Sequence, residues 1–225
     1  MSYLTILGDS VLKGVTLGER GYVINHSPEI RFSEATGIRV ENLSRFGCTT
    51  DKSLKSVIRS LKDHEGDRTV LIEYGGNDCD FDWKAISDDP DGFYPARVPL
   101  ERFTENYEQI IDSVKASGAK PVAVSLMPIN AERYFRWFCK NGVIPENVMK
   151  WLGEVNVIYR YQEMYSKAVE KVARKTGTPL IDLRSSFLGI HRLGDYICED
   201  GIHPTEKGQE LIWATLRKGL IPLIP

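Results

Sequence analysis

The chain has 225 residues, 42% hydrophobic and 27% charged. That is enough for one α/β domain with a sizeable core, and too ordinary for disorder, a collagen-like repeat or a coiled coil. With 29 Lys and Arg against 31 Asp and Glu the formal net charge is −2, so the basic field that nucleic-acid binding needs is missing and no nucleic-acid partner is expected.

Membrane spanning is excluded too, because no run approaches the roughly eighteen apolar residues of a spanning helix. Even residues 70–74 are interrupted by Glu73. Met1-Ser2 runs straight into Tyr3-Leu4-Thr5-Ile6-Leu7 without the basic, apolar and small-residue regions of a leader, so the expectation is a cytoplasmic protein. Cys48, Cys79, Cys139 and Cys198 are far apart with no C-x-x-C, which fits reduced thiols better than a disulfide framework or a zinc site.

Residues 4–7 read as a first buried strand, and Gly8-Asp9-Ser10 follows it directly. The hydroxyl of Ser10 is thereby presented at the carboxyl end of the strand, on a turn that the glycine permits; a plain turn serine or helix N-cap reads the same way. A second strand over 38–43 leads to Gly47, whose missing Cβ lets a backbone N–H approach a ligand or simply makes a turn. Thr50-Asp51 then signals the start of a helix with Leu54, Val57, Ile58 and Leu61 on its apolar face. The third strand, 69–74, runs into Gly75-Gly76-Asn77-Asp78. There Asn77 is either a loop staple or an amide donor to a developing oxyanion.

A helix bearing Phe103, Tyr107, Ile110, Ile111 and Val114 stops at Ser117-Gly118, and strand 121–126 follows. A helix over 155–176 ends at Gly177 before strand 179–183. The last helix follows Pro204, placed at its first position, and carries Leu211, Ile212 and Leu216. Strands alternating with helices in this way predict an α/β doubly wound domain over residues 1–225: three layers, α/β/α, around a five-stranded, mainly parallel sheet. Ligands bind such sheets at the carboxyl ends of the strands. The connections 75–99 and 127–154 are too long for plain crossovers, so both are expected to be functional or to carry small elements above that same edge.

Asp200-Gly201-Ile202-His203-Pro204 opens the last helix. Pro204 as first helical residue forces His203 into an extended backbone just outside the helix N-terminus. Asp200 can accept from one ring nitrogen and leave the other as a base. Half of a metal site is the competing reading.

Ser10, Gly47, Asn77 and the Asp200/His203 pair each follow a different predicted strand or open the last helix, in a consistent order. In those four blocks the chain resembles the SGNH hydrolases, the GDSL-type esterases and lipases; Val11 stands where the eponymous leucine would be. The G-x-S-x-G elbow of ordinary α/β-hydrolases is absent. The resemblance implies a flavodoxin-like SGNH hydrolase fold and a carboxylic ester hydrolase acting on small-molecule esters. In it Ser10 is the nucleophile, His203 the base, Asp200 its orienting carboxylate, and Ser10 N–H, Gly47 N–H and the Asn77 amide the oxyanion hole. It implies neither metal nor organic cofactor.

Asp78, Asp80, Asp82, Asp88, Asp89 and Asp91 make the first long loop acidic. Trp83 occupies the position of the tight-turn glycine of a calcium loop, so a solvated acidic mouth is expected instead. Such a mouth would repel anionic head groups and favour neutral, sugar-like acetyl esters. Trp83 is a candidate substrate-binding aromatic. The apolar positions of 133–140 share one helical face, which suits a lid packed on the site or a dimer contact. Cys48, Cys79 and Cys198 each lie within two residues of a site position, which allows a redox-sensitive site. A lysophospholipase or thioesterase with longer acyl substrates, and a non-catalytic flavodoxin-like module, are the alternatives.

Overall fold

The computed structural model describes residues 2–60, 67–140 and 142–224. In chain order the elements are β1 (Tyr3–Gly8), β2 (Val15–Gly18), β3 (Gly21–Ile24), α1 (Ser27–Thr36), β4 (Arg39–Asn42), α2 (Thr50–Ser60) and β5 (Arg68–Glu73). There follow α3 (Trp83–Asp88), α4 (Leu100–Ala116), β6 (Lys120–Val124), α5 (Ala131–Phe138), α6 (Pro145–Leu152), α7 (Asn156–Thr176), β7 (Leu180–Ile181), α8 (Leu183–Leu188) and α9 (Glu206–Leu220).

Five strands pair in the order β4-β1-β5-β6-β7, every pair parallel, which is the sheet expected from the alternation of apolar runs and helical segments. Because successive side chains of a strand face opposite sides, the near-continuous apolar runs feed two cores. Val70, Ile72 and Ala123 belong to one, with Phe103, Tyr107 and Val169 of α4 and α7. Leu71, Val122 and Val124 belong to the other, with Phe32, Ile212 and Leu216 of α1 and α9. Helices α2, α4 and α7 pack in one layer, and α1, α8 and α9 in the other. With all strands parallel, every strand delivers its following loop to the same edge.

Several elements differ from the sequence expectation. The antiparallel β2–β3 hairpin and α1 were not foreseen. Their strands are four residues each, and α1 buries only Pro28 and Phe32 without a side-chain cap, so neither carries a long periodic signal. The last strand is shorter than 179–183, since Asp182 accepts from Ser185 N–H and starts α8 at Leu183. The last helix begins at Glu206, not Pro204. Thr205 is its cap, accepting from Gly208 N–H, and Pro204 forms an antiparallel bridge with Ile197 instead. Leu61, the last apolar position of the helix predicted after Thr50-Asp51, lies outside the described residues. Both long connections do carry helices of their own: α3 in the first, α5 and α6 in the second.

Asp78 shows how the edge is tied together. It is fully buried, and its Oδ1 accepts from Thr50 N–H at 2.9 Å and Thr50 Oγ1 at 2.6 Å, at the start of α2. Asn106 of α4 donates to Thr50 Oγ1 and Asp51, closing the cluster. Burial pushes the Asp78 carboxyl up to about 6, against the two Thr50 bonds that favour its charged form. A folded-state value above the unfolded one means that Asp78 contributes stability fully present below about pH 4. That contribution is lost as pH rises through 6. Melting curves of wild type and Asp78→Asn between pH 4 and 7 should therefore show the wild type losing ground to the variant as pH rises; a pH-independent difference would contradict the assignment.

Candidate active site

The carboxyl edge of the sheet gathers the predicted residues from three places. Ser10 lies on the turn after β1, closed by Lys13 N–H to Asp9 O and Val15 N–H to Ser10 O. Asn77 follows β5 through Gly75, whose φ of 138° no other residue adopts easily and whose Cβ position is blocked by Leu126 at 2.8 Å. Asp200 and His203 sit in the segment between α8 and α9. A short pairing holds that segment: Cys198 N–H donates to His203 O and Thr205 N–H to Tyr196 O.

These elements bring Ser10, His203 and Asp200 into one hydrogen-bonded line. His203 Nε2 is 3.0 Å from Ser10 Oγ, and His203 Nδ1 is 2.7 Å from Asp200 Oδ2. The second Asp200 oxygen accepts from Ile202 N–H and His203 N–H, both at 3.0 Å. Burial alone would raise the Asp200 carboxyl, but the His203 bond and charge and these two N–H groups hold it below its usual value. A carboxylate at Nδ1 assigns the ring proton to that nitrogen and leaves the Nε2 lone pair for the serine proton.

Helix α5 clamps the base from behind. Asn130 N–H donates to Gly201 O, and Arg133 Nη1 donates to the carbonyls of Gly194 and Ile197. Gly201 has φ 80°, and a Cβ there would meet Tyr134 N at 2.4 Å and Asn130 O at 2.5 Å. The glycine between Asp200 and His203 is thus required twice, by backbone conformation and by space.

Asn77 donates one amide N–H to Asp9 Oδ2 at 3.0 Å, leaving its other N–H available on the cleft side. Asp9 Oδ1 accepts from Val11 N–H at 2.9 Å, so one carboxylate orders both the serine turn and the amide. Gly47, on the loop after β4, has φ 64° and is not among the residues lining the cleft. Its side of the site is marked by Phe46, whose ring stacks on His203 at 5.7 Å, with Tyr22 of the unforeseen hairpin at 4.8 Å. Both rings remain substantially exposed, Tyr22 41% and Phe46 56%. Residue-by-residue reading gave no signal for them.

A narrow cleft, partly open to solvent, runs from Ser10, Asn77 and His203 between apolar walls. Leu126, Met127, Ile129, Ile158, Phe81 and Trp83 make up much of the lining, with Tyr134, Gln162 and Asp80 adding polar atoms. Trp83, the predicted substrate aromatic, is a buried wall rather than an exposed platform. Its ring stacks on Phe138 of α5 at 4.4 Å, and its Nε1 donates to Asp80. Helix α5 therefore packs on the site, as one of the two readings of its apolar face expected.

The acidic loop is not the uniformly solvated mouth expected. Asp78 is buried at the start of α2, and Asp82 caps α3 by accepting from Ala85 N–H. Asp80 accepts from Tyr134 and Trp83 and pairs with Arg97 at 3.0 Å. Asp88 pairs with Lys84, and Asp91 with Lys150. The alternating aspartates are helix caps and ion-pair partners, jobs that their spacing alone does not reveal. The cysteines beside the site also bond to backbone, not to each other: Cys79 to Gly76 O and Cys198 to Pro204 O. Burial pushes the Cys48 and Cys79 thiols up, away from the reactive thiolate.

This arrangement has counterparts. The chain is 26% identical to thioesterase 1/protease 1/lysophospholipase L1 of Escherichia coli K12, over 98% of this chain and 84% of that protein. Its fold matches a lipase/acylhydrolase from Enterococcus faecalis with a TM-score of 0.70 at 17% identity, covering 100% of this chain and 98% of that one. The esterase EstA from Pseudoalteromonas sp. matches with a TM-score of 0.62 at 18% identity, covering 98% and 97%. Residues 6–211 fit the model of the GDSL-like Lipase/Acylhydrolase family, a span that reaches from β1 past His203. The chain belongs to that family and is a hydrolase of carboxylic esters.

Proposed function

We propose that Ser10 is the nucleophile of a two-step acyl transfer to water, and that its substrates are esters whose acyl chain enters the apolar cleft. The observation that carries this reading is the unbroken line Ser10 Oγ, His203 Nε2, His203 Nδ1, Asp200 Oδ2 at 3.0 and 2.7 Å. In the first step His203 takes the Ser10 proton as Oγ attacks the carbonyl carbon, and Asp200 stabilises the imidazolium so formed. The proton then goes to the leaving alcohol or thiol, which departs and leaves Ser10 acylated. A water gives up its proton to His203 and attacks the acyl carbon, and Ser10 Oγ departs from the acid, taking that proton back from His203. The free N–H of Asn77, with the backbone N–H groups of Ser10 and Gly47, is the donor set for the oxyanion of each tetrahedral intermediate.

The acyl side of this reading rests on the cleft walls. Phe81, Ile129 and Ile158 offer burial to methylenes, and each CH₂ removed from water contributes about 0.8 kcal/mol, or about fourfold in kcat/KM. With Asp78 buried and Asp80, Asp88 and Asp91 ion-paired, the electrostatic reason for preferring acetylated sugars weakens. One observation keeps acetyl-carbohydrate hydrolysis as a second reading: the exposed rings of Tyr22 and Phe46 flank His203 and suit a sugar ring.

An ester series decides between the two. On the first reading kcat/KM for p-nitrophenyl esters rises severalfold per methylene from acetate upward until the cleft is full. An optimum at acetate, with acetylated sugars turned over faster still, would replace it by the second.

The site residues fail by different amounts. Ser10→Ala and His203→Ala should each lower kcat by about 10⁴ to 10⁶, and their combination by little more. Asn77→Ala removes one oxyanion donor and should cost about 10² to 10³ in kcat with KM unchanged. Normal kcat in the Asn77→Ala enzyme would reduce Asn77 to a loop staple.

A further inference from the structure

The mechanism leaves one buried titratable group beside the site unused. Glu73 closes β5 and is 2% exposed, as is Asp9; both line the cleft. Parallel pairing sets Gly8 opposite Glu73, so Asp9 leaves β1 beside the end of β5. The Glu73 carboxyl contacts both the backbone N–H and the carboxyl of Asp9. Asp9 has its own donors: Val11 N–H at 2.9 Å on Oδ1 and Asn77 Nδ2 at 3.0 Å on Oδ2. The remaining Glu73 oxygen, Oε2, is buried without a hydrogen-bond partner.

We propose that Glu73 is held as a neutral carboxylic acid whose proton is shared with Asp9, and that it serves as a positioning residue for the Asn77 amide and the Ser10 turn. The inference rests on the reading of Ser10 as nucleophile and Asn77 as oxyanion donor. Two carboxyls in contact and out of water cannot both be ionised. Burial raises the Asp9 carboxyl as well, but its two N–H donors, Val11 and Asn77, favour its charged form, so of the pair Asp9 keeps the negative charge. Glu73 keeps the proton. Burial first, then the charge of Asp9, push the Glu73 carboxyl well above its usual value, and the nearby Asp78 adds to the effect.

In that state Glu73 donates O–H to the Asp9 carboxylate and accepts from Asp9 N–H. An ionised carboxylate with an orphaned buried oxygen would be far costlier than a neutral acid carrying the same orphan. Asp9 is then held from three directions: Glu73 O–H, Val11 N–H and Asn77 Nδ2. Its fixed position is what points the second Asn77 N–H into the cleft and sets the turn that carries Ser10. Loss of the Glu73 donor would leave Asp9 free to draw the amide out of line, which weakens the oxyanion contact more than substrate binding.

Two variants and one spectrum test this. Glu73→Gln keeps the donor to the Asp9 carboxylate, an amide N–H in place of the O–H, while the Asp9 N–H loses its acceptor, and should keep kcat within about threefold of wild type. Glu73→Ala removes donor and acceptor alike and should lower kcat about ten- to hundredfold with KM unchanged. Difference infrared spectroscopy of wild type against Glu73→Gln at neutral pH should show the C=O band of a protonated carboxyl, lost in the variant. This reading is independent of activity and of whether Glu73→Ala folds. Absence of that band, a Gln variant as impaired as the Ala variant, or an Ala variant of full activity would each overturn the proposal. Failure of the Ser10 reading has a different signature: Ser10→Ala would stay active while the band persists.

Discussion

The parallel pairing of β1 with β5 is the constraint on which the site depends. Its register runs from Tyr3 opposite Arg68 to Gly8 opposite Glu73, so the loops beginning at Asp9 and Tyr74 leave the sheet side by side. A slip of two residues would carry Asn77 about 7 Å away from Ser10, and a slip of one would turn Leu71 and Ile72 to the wrong cores. Because both faces of the sheet are packed with apolar side chains, neither slip is available. Core packing thus sets the distance between Ser10 and Asn77, although neither is part of a core.

The base reaches the same edge by another route. His203 is not held at a helix start but in the short pairing of residues 196–198 with 203–205, and α5 closes over it through Asn130, Tyr134 and Arg133. Helix α5 also stacks Phe138 on Trp83. The helix that forms one wall of the cleft therefore also fixes the Asp200–His203 segment, which couples the cleft to the Ser10–His203–Asp200 line through one rigid element. The hairpin Val15–Ile24 completes the enclosure by laying Tyr22 on His203, and Cys198 ties hairpin to base through Leu17 N–H and Pro204 O.

The parts legible in the sequence share a physical property. Ser10, Asn77, Asp200 and His203 are polar residues that follow apolar runs or precede an amphipathic helix, so the pattern that predicts the sheet also predicts where they gather. The hairpin was illegible because its strands are four residues long and leave Tyr22, Val23 and Ile24 exposed, without a buried face to give a period. The aspartates of the first long loop misled because charge counts do not tell a capping or paired carboxylate from a solvated one. Glu73 was visible only as the interruption of an apolar strand. A charge inside a buried parallel strand is costly, and that cost is itself the signal of a partner, here Asp9.

The account's central claim is that Ser10 alone among the hydroxyls of this chain is activated. A fluorophosphonate at neutral pH, followed by intact mass and peptide mapping, tests it most directly, since an ordinary hydroxyl does not react. One adduct per chain, on Ser10, and its loss in the His203→Ala protein are the predicted result. Labelling at another residue, or no labelling of protein that still hydrolyses esters, would contradict it.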